Sequence, residues 1–191
     1  MRVIAGKYRS RKLRTLRGLA MRPTSDRLRA TLFNILGPTV EGSLFVDVYA
    51  GTGAVGIEAL SRGAEEAIFI EKHPAAVALI RENLASLGIE SGFEILAKDA
   101  LRWLDLLATR RLGGRVQGDF FFLDPPYAAE EDYARVLEFL DASHLLARHS
   151  IVIVEHSPRL ALPERLNRLE RTRLLEQGDA ALSFYRLALA A

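Results

Sequence analysis

Short, mostly apolar runs alternate with polar turns and longer amphipathic stretches through most of the chain. Residues 44–48, 67–70, 93–96, 120–123 and 151–154 have the length and composition of strands buried in a sheet. Between them, roughly residues 54–62, 74–87, 99–110 and 131–145 carry the spacing of helices. This alternation predicts an α/β fold built on a mostly parallel sheet with helices on both faces. A further helix is expected from Thr24 or Ser25, with a hydroxyl N-cap and Leu28, Leu32, Ile35 and Leu36 on one face, stopped by Gly37-Pro38. After Pro163 the rhythm changes. Residues 166–175 and 182–189 are separated by no helix, only by Gln177-Gly178-Asp179, and predict a C-terminal antiparallel hairpin. At the other end, residues 2–5 and 11–16 read as two short strands around Gly6-Lys7-Tyr8-Arg9-Ser10. The expected organisation is a small N-terminal hairpin or arm over residues 1–20, followed by one domain over residues 21–191.

The most informative run is Phe120-Phe121-Phe122-Leu123-Asp124-Pro125-Pro126-Tyr127. Its apolar half predicts a strand buried on both faces, and the two prolines end it at once because neither can donate a ladder hydrogen bond. Asp124 therefore falls where the strand opens into a loop, at the sheet edge where α/β proteins bind ligands. Residues before proline are held extended, which fixes Asp124 and Pro125 and aims the Pro125 carbonyl beside the Asp124 carboxylate. Tyr127 follows as a ring able to stack on a flat substrate.

Asp47, Glu71, Asp99 and Asp124 recur at intervals of 24, 28 and 25 residues, about one strand-helix unit each. Each is expected at or just beyond the carboxyl end of its strand. A single such residue is commonly a helix cap. Four in phase, the first leading into Gly51-Thr52-Gly53-Ala54-Val55-Gly56, point instead to a ligand site. The Gly-x-Gly-x-x-Gly spacing lets backbone approach a ligand at a helix N-terminus, and Glu71 stands where a carboxylate accepts ribose hydroxyls. Both a nicotinamide-cofactor dehydrogenase and an S-adenosylmethionine (AdoMet) enzyme satisfy this pattern. Asp47, four residues before the first glycine, suits a ligand carrying an ammonium and a sulfonium better than a pyrophosphate. Asp124-Pro125-Pro126-Tyr127 has no role in hydride transfer but an evident one in methylating an exocyclic amine. Two acceptors holding the N–H groups of such a nitrogen direct its lone pair at the methyl group, by alignment and electrostatics alone.

Composition narrows the picture further. The absence of cysteine excludes disulfides, thiolate metal sites and cysteine nucleophiles. No apolar run is long enough to span a membrane and no secretory signal follows the basic N-terminus, so a cytoplasmic protein with no membrane partner is expected. The net charge of +2 conceals an asymmetry: residues 1–29 hold ten basic side chains and one acid, leaving the remainder at −7. Val3, Ile4, Tyr8, Leu13 and Leu16 interleave apolar residues with these charges, as in a docked hairpin that binds a polyanion.

These motifs resemble a known family, the bacterial 16S rRNA guanine-N2 methyltransferases of the RsmD type, within the Rossmann-like class I AdoMet-dependent enzymes. The resemblance spans nearly the whole chain. It runs through Arg2-Val3-Ile4-Ala5-Gly6-Lys7-Tyr8-Arg9, Arg22-Pro23-Thr24-Ser25-Asp26-Arg27, Tyr49-Ala50-Gly51-Thr52-Gly53, Asp124-Pro125-Pro126-Tyr127 and Val154-Glu155-His156-Ser157. It implies that Asp47, Gly51 and Gly53 hold the methionine part of AdoMet, Glu71 the ribose, and Asp99 with the Ala100 backbone the adenine. It implies that Asp124 and the Pro125 carbonyl hold the guanine amine while Tyr127 stacks on the base and Pro126 lies against it. Arg22, Pro23 and Thr24 would close over cofactor and target, and Arg9, Arg11 and Lys12 would contact RNA. The implied partner is 16S rRNA within a small ribosomal subunit or its assembly intermediate, the implied enzyme a monomer without a metal. Ser10 and Ala180 depart from the family pattern, which has glycine and threonine there.

A DNA adenine-N6 methyltransferase is the alternative, since it can share the Asp-Pro-Pro-Tyr tetrad; the chain lacks an inserted segment of the size those enzymes use to read DNA. A nucleic-acid-binding protein with a vestigial site is a third reading, opposed by the intact set of carboxylates and glycines. His156 is expected to be a structural hydrogen-bonder, and His144 and His149 lack a third ligand at metal spacing.

Overall fold

A computed structural model describes residues 1–15, 24–109, 117–126 and 130–188. The chain divides into two compact units, Met1–Asp99 and Ala100–Ala191. Arg22, Pro23 and Tyr127 lie outside the described residues.

The first unit starts with the arm. Among the described residues its expected strands form only one antiparallel bridge, between Arg2 and Lys12. The turn is closed by Val3 N–H to the Arg11 carbonyl at 3.0 Å and Ser10 N–H to the Val3 carbonyl at 2.9 Å. A longer ladder cannot form because the intervening amides are committed elsewhere, Ile4 and Ala5 to the Glu58 carboxylate and Lys7 and Tyr8 to Ser61. Ser10 adopts a left-handed backbone with φ 67°, a conformation natural to the glycine expected there, so the turn keeps its shape despite the side chain.

Helix α1 spans Asp26–Leu36. The Ser25 hydroxyl accepts the Leu28 N–H at 3.1 Å as N-cap, Leu28, Leu32, Phe33 and Leu36 form its buried face, and Gly37 ends it at φ 60°. Strand β1 (Leu44–Val48) is entirely buried, and β2 (Glu66–Ile70) nearly so. They pair in parallel, and β3 (Phe93–Leu96) adds to β2, giving the order β3-β2-β1. As the outer strand, β3 buries only Leu96, so the expectation of a fully buried third strand does not hold. Helix α2 (Ala54–Ser61) follows β1, and α3 (Pro74–Leu87) follows β2, opened by Pro74 in its first turn and closed by left-handed Gly88. Val3 and Leu13 of the arm join Ala50, Ile57, Phe69, Ile80 and Leu84 in one hydrophobic cluster, so the arm is part of this unit's core.

In the second unit, α4 (Ala100–Thr109) precedes β4 (Gly118–Leu123), whose last four residues are buried as their aromatic run requires. Helix α5 (Glu130–Ala142) leads to β5 (Leu146–His156), which pairs in parallel with β4. β6 (Leu169–Gln177) and β7 (Ala180–Leu187) form the closing antiparallel hairpin, and β7 pairs antiparallel with β5, giving the order β4-β5-β7-β6. The hairpin turns through Gly178-Asp179, with Gln177 opposite Ala180. β6 starts at Leu169 rather than at residue 166, because Asp141 Oδ1 accepts the Arg168 and Leu169 N–H groups at 2.7 and 2.6 Å and pins the chain just before the strand. Among the described residues, no helix is long and apolar enough to cross a membrane.

Candidate functional site

In the first unit the parallel strands bring three of the four phased carboxylates to their carboxyl ends. Asp47 is the penultimate residue of β1, Glu71 follows β2 directly, and Asp99 lies three residues past β3 and just before α4. Their environments differ. Asp47 is buried, and its Oδ2 accepts the Gly56 N–H at 2.9 Å, which fixes the first turn of α2 over the strand end. Burial, opposed by that amide and reinforced by the charge of Glu71, pushes the Asp47 carboxyl up to about 8. Glu71 is also buried; its Oε2 accepts the Gly51 N–H at 2.9 Å and its Oε1 the His73 N–H at 2.7 Å. Glu71 therefore holds the glycine loop, a role the sequence did not reveal, and each oxygen keeps acceptor capacity for a further donor. Asp99 is exposed, and Ala100 is buried at the start of α4.

The loop between β1 and α2 is tightly wound. Tyr49, Gly51 and Gly53 all have positive φ, at 66°, 54° and 75°. Gly53 is the N-cap of α2 and offers no side chain to its free N–H groups, leaving the helix N-terminus available to an anionic group. At Gly56 a Cβ would come within 2.4 Å of Phe69 Cε1, so this glycine is required for α2 to pack on β2. An ammonium or sulfonium is the charge this carboxylate pair lacks, and a ligand bearing a carboxylate beside it would meet the helix N-terminus. The donor set thus suits AdoMet.

In the second unit Asp124 follows β4 directly and is half-buried, while Pro125 is buried and Pro126 exposed. The Pro125 carbonyl accepts a hydrogen bond from the Tyr133 hydroxyl of α5 at 3.2 Å. Tyr133 itself is buried, so the carbonyl is held in a fixed direction and retains a second lone pair. His156 lies inside the sheet at the end of β5. Its ring nitrogens sit 2.8 Å from the Ser157 carbonyl and 2.9 Å from the Ser183 hydroxyl, and burial lowers its pKa, consistent with a neutral structural residue.

The arm carries its charges outward. Arg2, Lys7, Arg9, Arg11, Lys12 and Arg14 are all exposed. Arg2 lies 3.7 Å from Asp26, and the other five separate into two sets. Arg11 donates to the Ser86 carbonyl at 2.8 Å, and Arg14 pairs with Glu82 at 2.8 Å, so both tie the arm to α3. Among the described residues no hydrogen bond or ion pair engages the Lys7, Arg9 and Lys12 side chains; Lys7 sits 5.3 Å above the Tyr8 ring. Beneath them Glu58 is fully buried and receives the Ile4 N–H at 2.7 Å, the Ala5 N–H at 3.0 Å and Arg62 Nε at 2.7 Å. Arg29, also fully buried, bonds to the Arg2 carbonyl and to Asp26 at 3.0 Å, with its Nε 3.7 Å from Glu58. Thr24 is buried at the start of α1.

Sequence reasoning missed Glu58, Asn83 and Tyr133. A signal was present: Asn83 interrupts the buried face of α3 formed by Ala76, Ile80, Leu84 and Leu87, and Glu58 stands among the apolar residues of α2. A polar residue in a core stripe implies a specific partner.

Comparison with known proteins agrees with this architecture. The family model described as "Conserved hypothetical protein 95" matches residues 1–186. The chain is 34% identical over 186 residues to the Bacillus subtilis protein named "Putative rRNA methyltransferase YlbH", covering 97% of this chain and 98% of the relative. It is 33% identical over 166 residues to the Escherichia coli "Ribosomal RNA small subunit methyltransferase D", covering 85% and 78%. A solved structure titled "Putative methyltransferase yhhF from Escherichia coli" superposes with a TM-score of 0.82 at 29% identity, covering 98% of this chain and 97% of that one. A mostly parallel sheet ending in an antiparallel hairpin is the Rossmann-like class I methyltransferase fold. The chain belongs to the "Conserved hypothetical protein 95" family, that of the RsmD-type methyltransferases.

Proposed function

We propose that this protein transfers a methyl group from AdoMet to the exocyclic N2 amine of a guanine in small-subunit ribosomal RNA. Methylation of ribosomal RNA is the activity named for relatives along nearly the full chain. An exocyclic amine as the target is supported by one observation, a half-buried carboxylate and a fixed carbonyl at the exit of β4, and the choice of guanine N2 over adenine N6 rests on the resemblance to the RsmD type. Side by side, Asp124 and Pro125 supply two acceptors for one amine and no donor, which selects an NH₂ group over a ring nitrogen or a hydroxyl.

Bound AdoMet would supply a methyl group made electrophilic by its sulfonium. Asp47, Gly51 and Gly53 would receive its methionine part, Glu71 its ribose and Asp99 with the Ala100 backbone its adenine. Asp124 and the Pro125 carbonyl would accept the two N–H groups of the amine, pulling the nitrogen toward tetrahedral geometry and aiming its lone pair. As the nitrogen–carbon bond forms and the methyl–sulfur bond breaks, the nitrogen becomes more acidic; Asp124 would stabilise the charge that develops there, and the surplus proton would pass to solvent. Tyr127 would stack on the base once it has left its helix, with Pro126 against it. Arg22, Pro23 and Thr24 would cover the bound pair. Residues 1–20 would serve as an RNA-facing arm of a methyltransferase domain over residues 21–191, with Lys7, Arg9 and Lys12 presented to phosphates and Arg11 serving chiefly as an anchor. This reading places a monomeric enzyme in the cytoplasm.

The test is transfer of labelled methyl from AdoMet to deproteinised 16S rRNA, to small-subunit particles lacking the modification and to unmethylated duplex DNA. The expected product is N2-methylguanosine in RNA or particles. Label on DNA adenine would sink the assignment in favour of an adenine-N6 enzyme.

A further inference from the structure

Three side chains of α2 and α3 bond to the backbone of the arm and anchor it, and they are not equivalent. Glu58 and Ser61, both on α2, bind the backbone of residues 4–8. Asn83, on α3, is fully buried and clamps the far end of the arm at both faces of one residue: it accepts the Arg14 N–H at 2.8 Å and donates to the Arg14 carbonyl at 3.2 Å. Of the three anchors, Asn83 also reaches the glycine loop, donating to the Thr52 carbonyl at 3.1 Å. One planar amide therefore bonds both to the arm and to the Thr52–Gly53 peptide of the glycine loop.

We propose that Asn83 is a positioning residue coupling the arm to the glycine loop, so that RNA held on the arm and cofactor held at the loop strengthen each other's binding. This rests on the function proposed above. Docked on its three anchors, the arm presents Lys7, Arg9 and Lys12 from an ordered turn, whereas an undocked arm must be ordered when a polyanion binds. RNA consequently favours the docked arm. Docking supplies the Arg14 peptide to Asn83 and holds the amide with its remaining N–H on Thr52. Without Arg14, a buried acceptor and a buried donor lose their partners, and the amide is free to turn away from the loop to satisfy them. Cofactor favours the loop in its fixed form. Each ligand thus stabilises the arrangement the other needs, and the effect must be equal in both directions.

Equilibrium dialysis of labelled S-adenosylhomocysteine against the full chain, with and without saturating deproteinised 16S rRNA, reads the coupling directly. RNA is expected to tighten binding roughly 5-fold or more. Asn83→Ala should lose most of that tightening. Asn83→Asp, which preserves shape and the acceptor for Arg14 but lacks both donors, should lose it too and serves if the alanine variant does not fold. Ser61→Ala should weaken RNA binding yet keep the tightening once RNA is saturating. If the unmodified protein binds both ligands independently, the coupling is refuted and the proposed function stands. If it binds no S-adenosylhomocysteine, both fall. Tightening that persists in a folded Asn83 variant, or vanishes equally in Ser61→Ala, overturns the assignment to Asn83.

Discussion

Asp47 and Asp124 mark the ends of two buried strands, one in each unit, and the fold treats them in opposite ways. Asp47 is sealed inside β1, bonded to the Gly56 amide, with its ionisation suppressed by burial. Asp124 stands one residue outside β4, half-buried, on backbone fixed by two prolines. The contrast teaches that a carboxylate at a strand end can serve the protein or the substrate, and that a displacement of one or two residues along the strand decides which. Asp47 shapes the loop from within the sheet, and under the proposed function a bound cation would favour its ionised form. Asp124 is delivered to the loop, where under the proposed function it would hold the substrate amine.

The strongest way to break this comparison is at Asp124. Asp124→Ala is expected to reduce turnover on the order of 10²–10³-fold while AdoMet affinity stays nearly unchanged, as measured by single-turnover methyl transfer and by ligand titration. Near-normal turnover would remove Asp124 from the reaction. A smaller effect is expected at Asp47. Its folded-state pKa of about 8 lies above the ordinary 3.8, so the stability associated with its protonated form is present in acid and is lost as pH rises through that interval. Asp47→Asn keeps an acceptor for Gly56 and cannot ionise. Denaturant midpoints of the variant should fall less than those of the unmodified protein between about pH 4 and 8, and its AdoMet affinity should drop. Parallel stability curves would show that Asp47 is not held protonated. The smallest effect belongs to Tyr133→Phe, which frees the Pro125 carbonyl. It should cost about 1 kcal/mol of stability and lower turnover several-fold without altering cofactor affinity. A loss as large as that of Asp124→Ala would mean that the carbonyl, rather than the carboxylate, carries the alignment.

Much of this arrangement is readable from residue order because it depends on local chemistry. Apolar runs mark β1, β2 and β4, Ser25 and Gly37 mark the ends of α1, and Asp-Pro-Pro marks the exit from β4. The hidden part depends on partners distant along the chain. The arm looks like two strands because apolar and basic residues alternate, yet Glu58 and Ser61 take the amides a ladder would use. Glu71 looks like a ribose ligand, and nothing in its spacing reveals that it also receives the Gly51 and His73 amides. Asn83 occupies a core position of an amphipathic helix, and only the folded chain supplies Arg14 and Thr52 as its partners.

At the tip of the arm, Gly6 crosses α2 so closely that a Cβ would fall 1.7 Å from the Ser61 carbonyl oxygen, and its φ of 80° disfavours any other residue. The mutational tolerance of the arm is therefore uneven. Under the proposed function its outward cations Lys7, Arg9 and Lys12 can be exchanged one at a time, each changing the grip on RNA by a fraction, while any side chain at position 6 lifts the whole turn from the helix beneath it. A gradual history of adjustment is open to the charges; the seat on which they rest admits one residue.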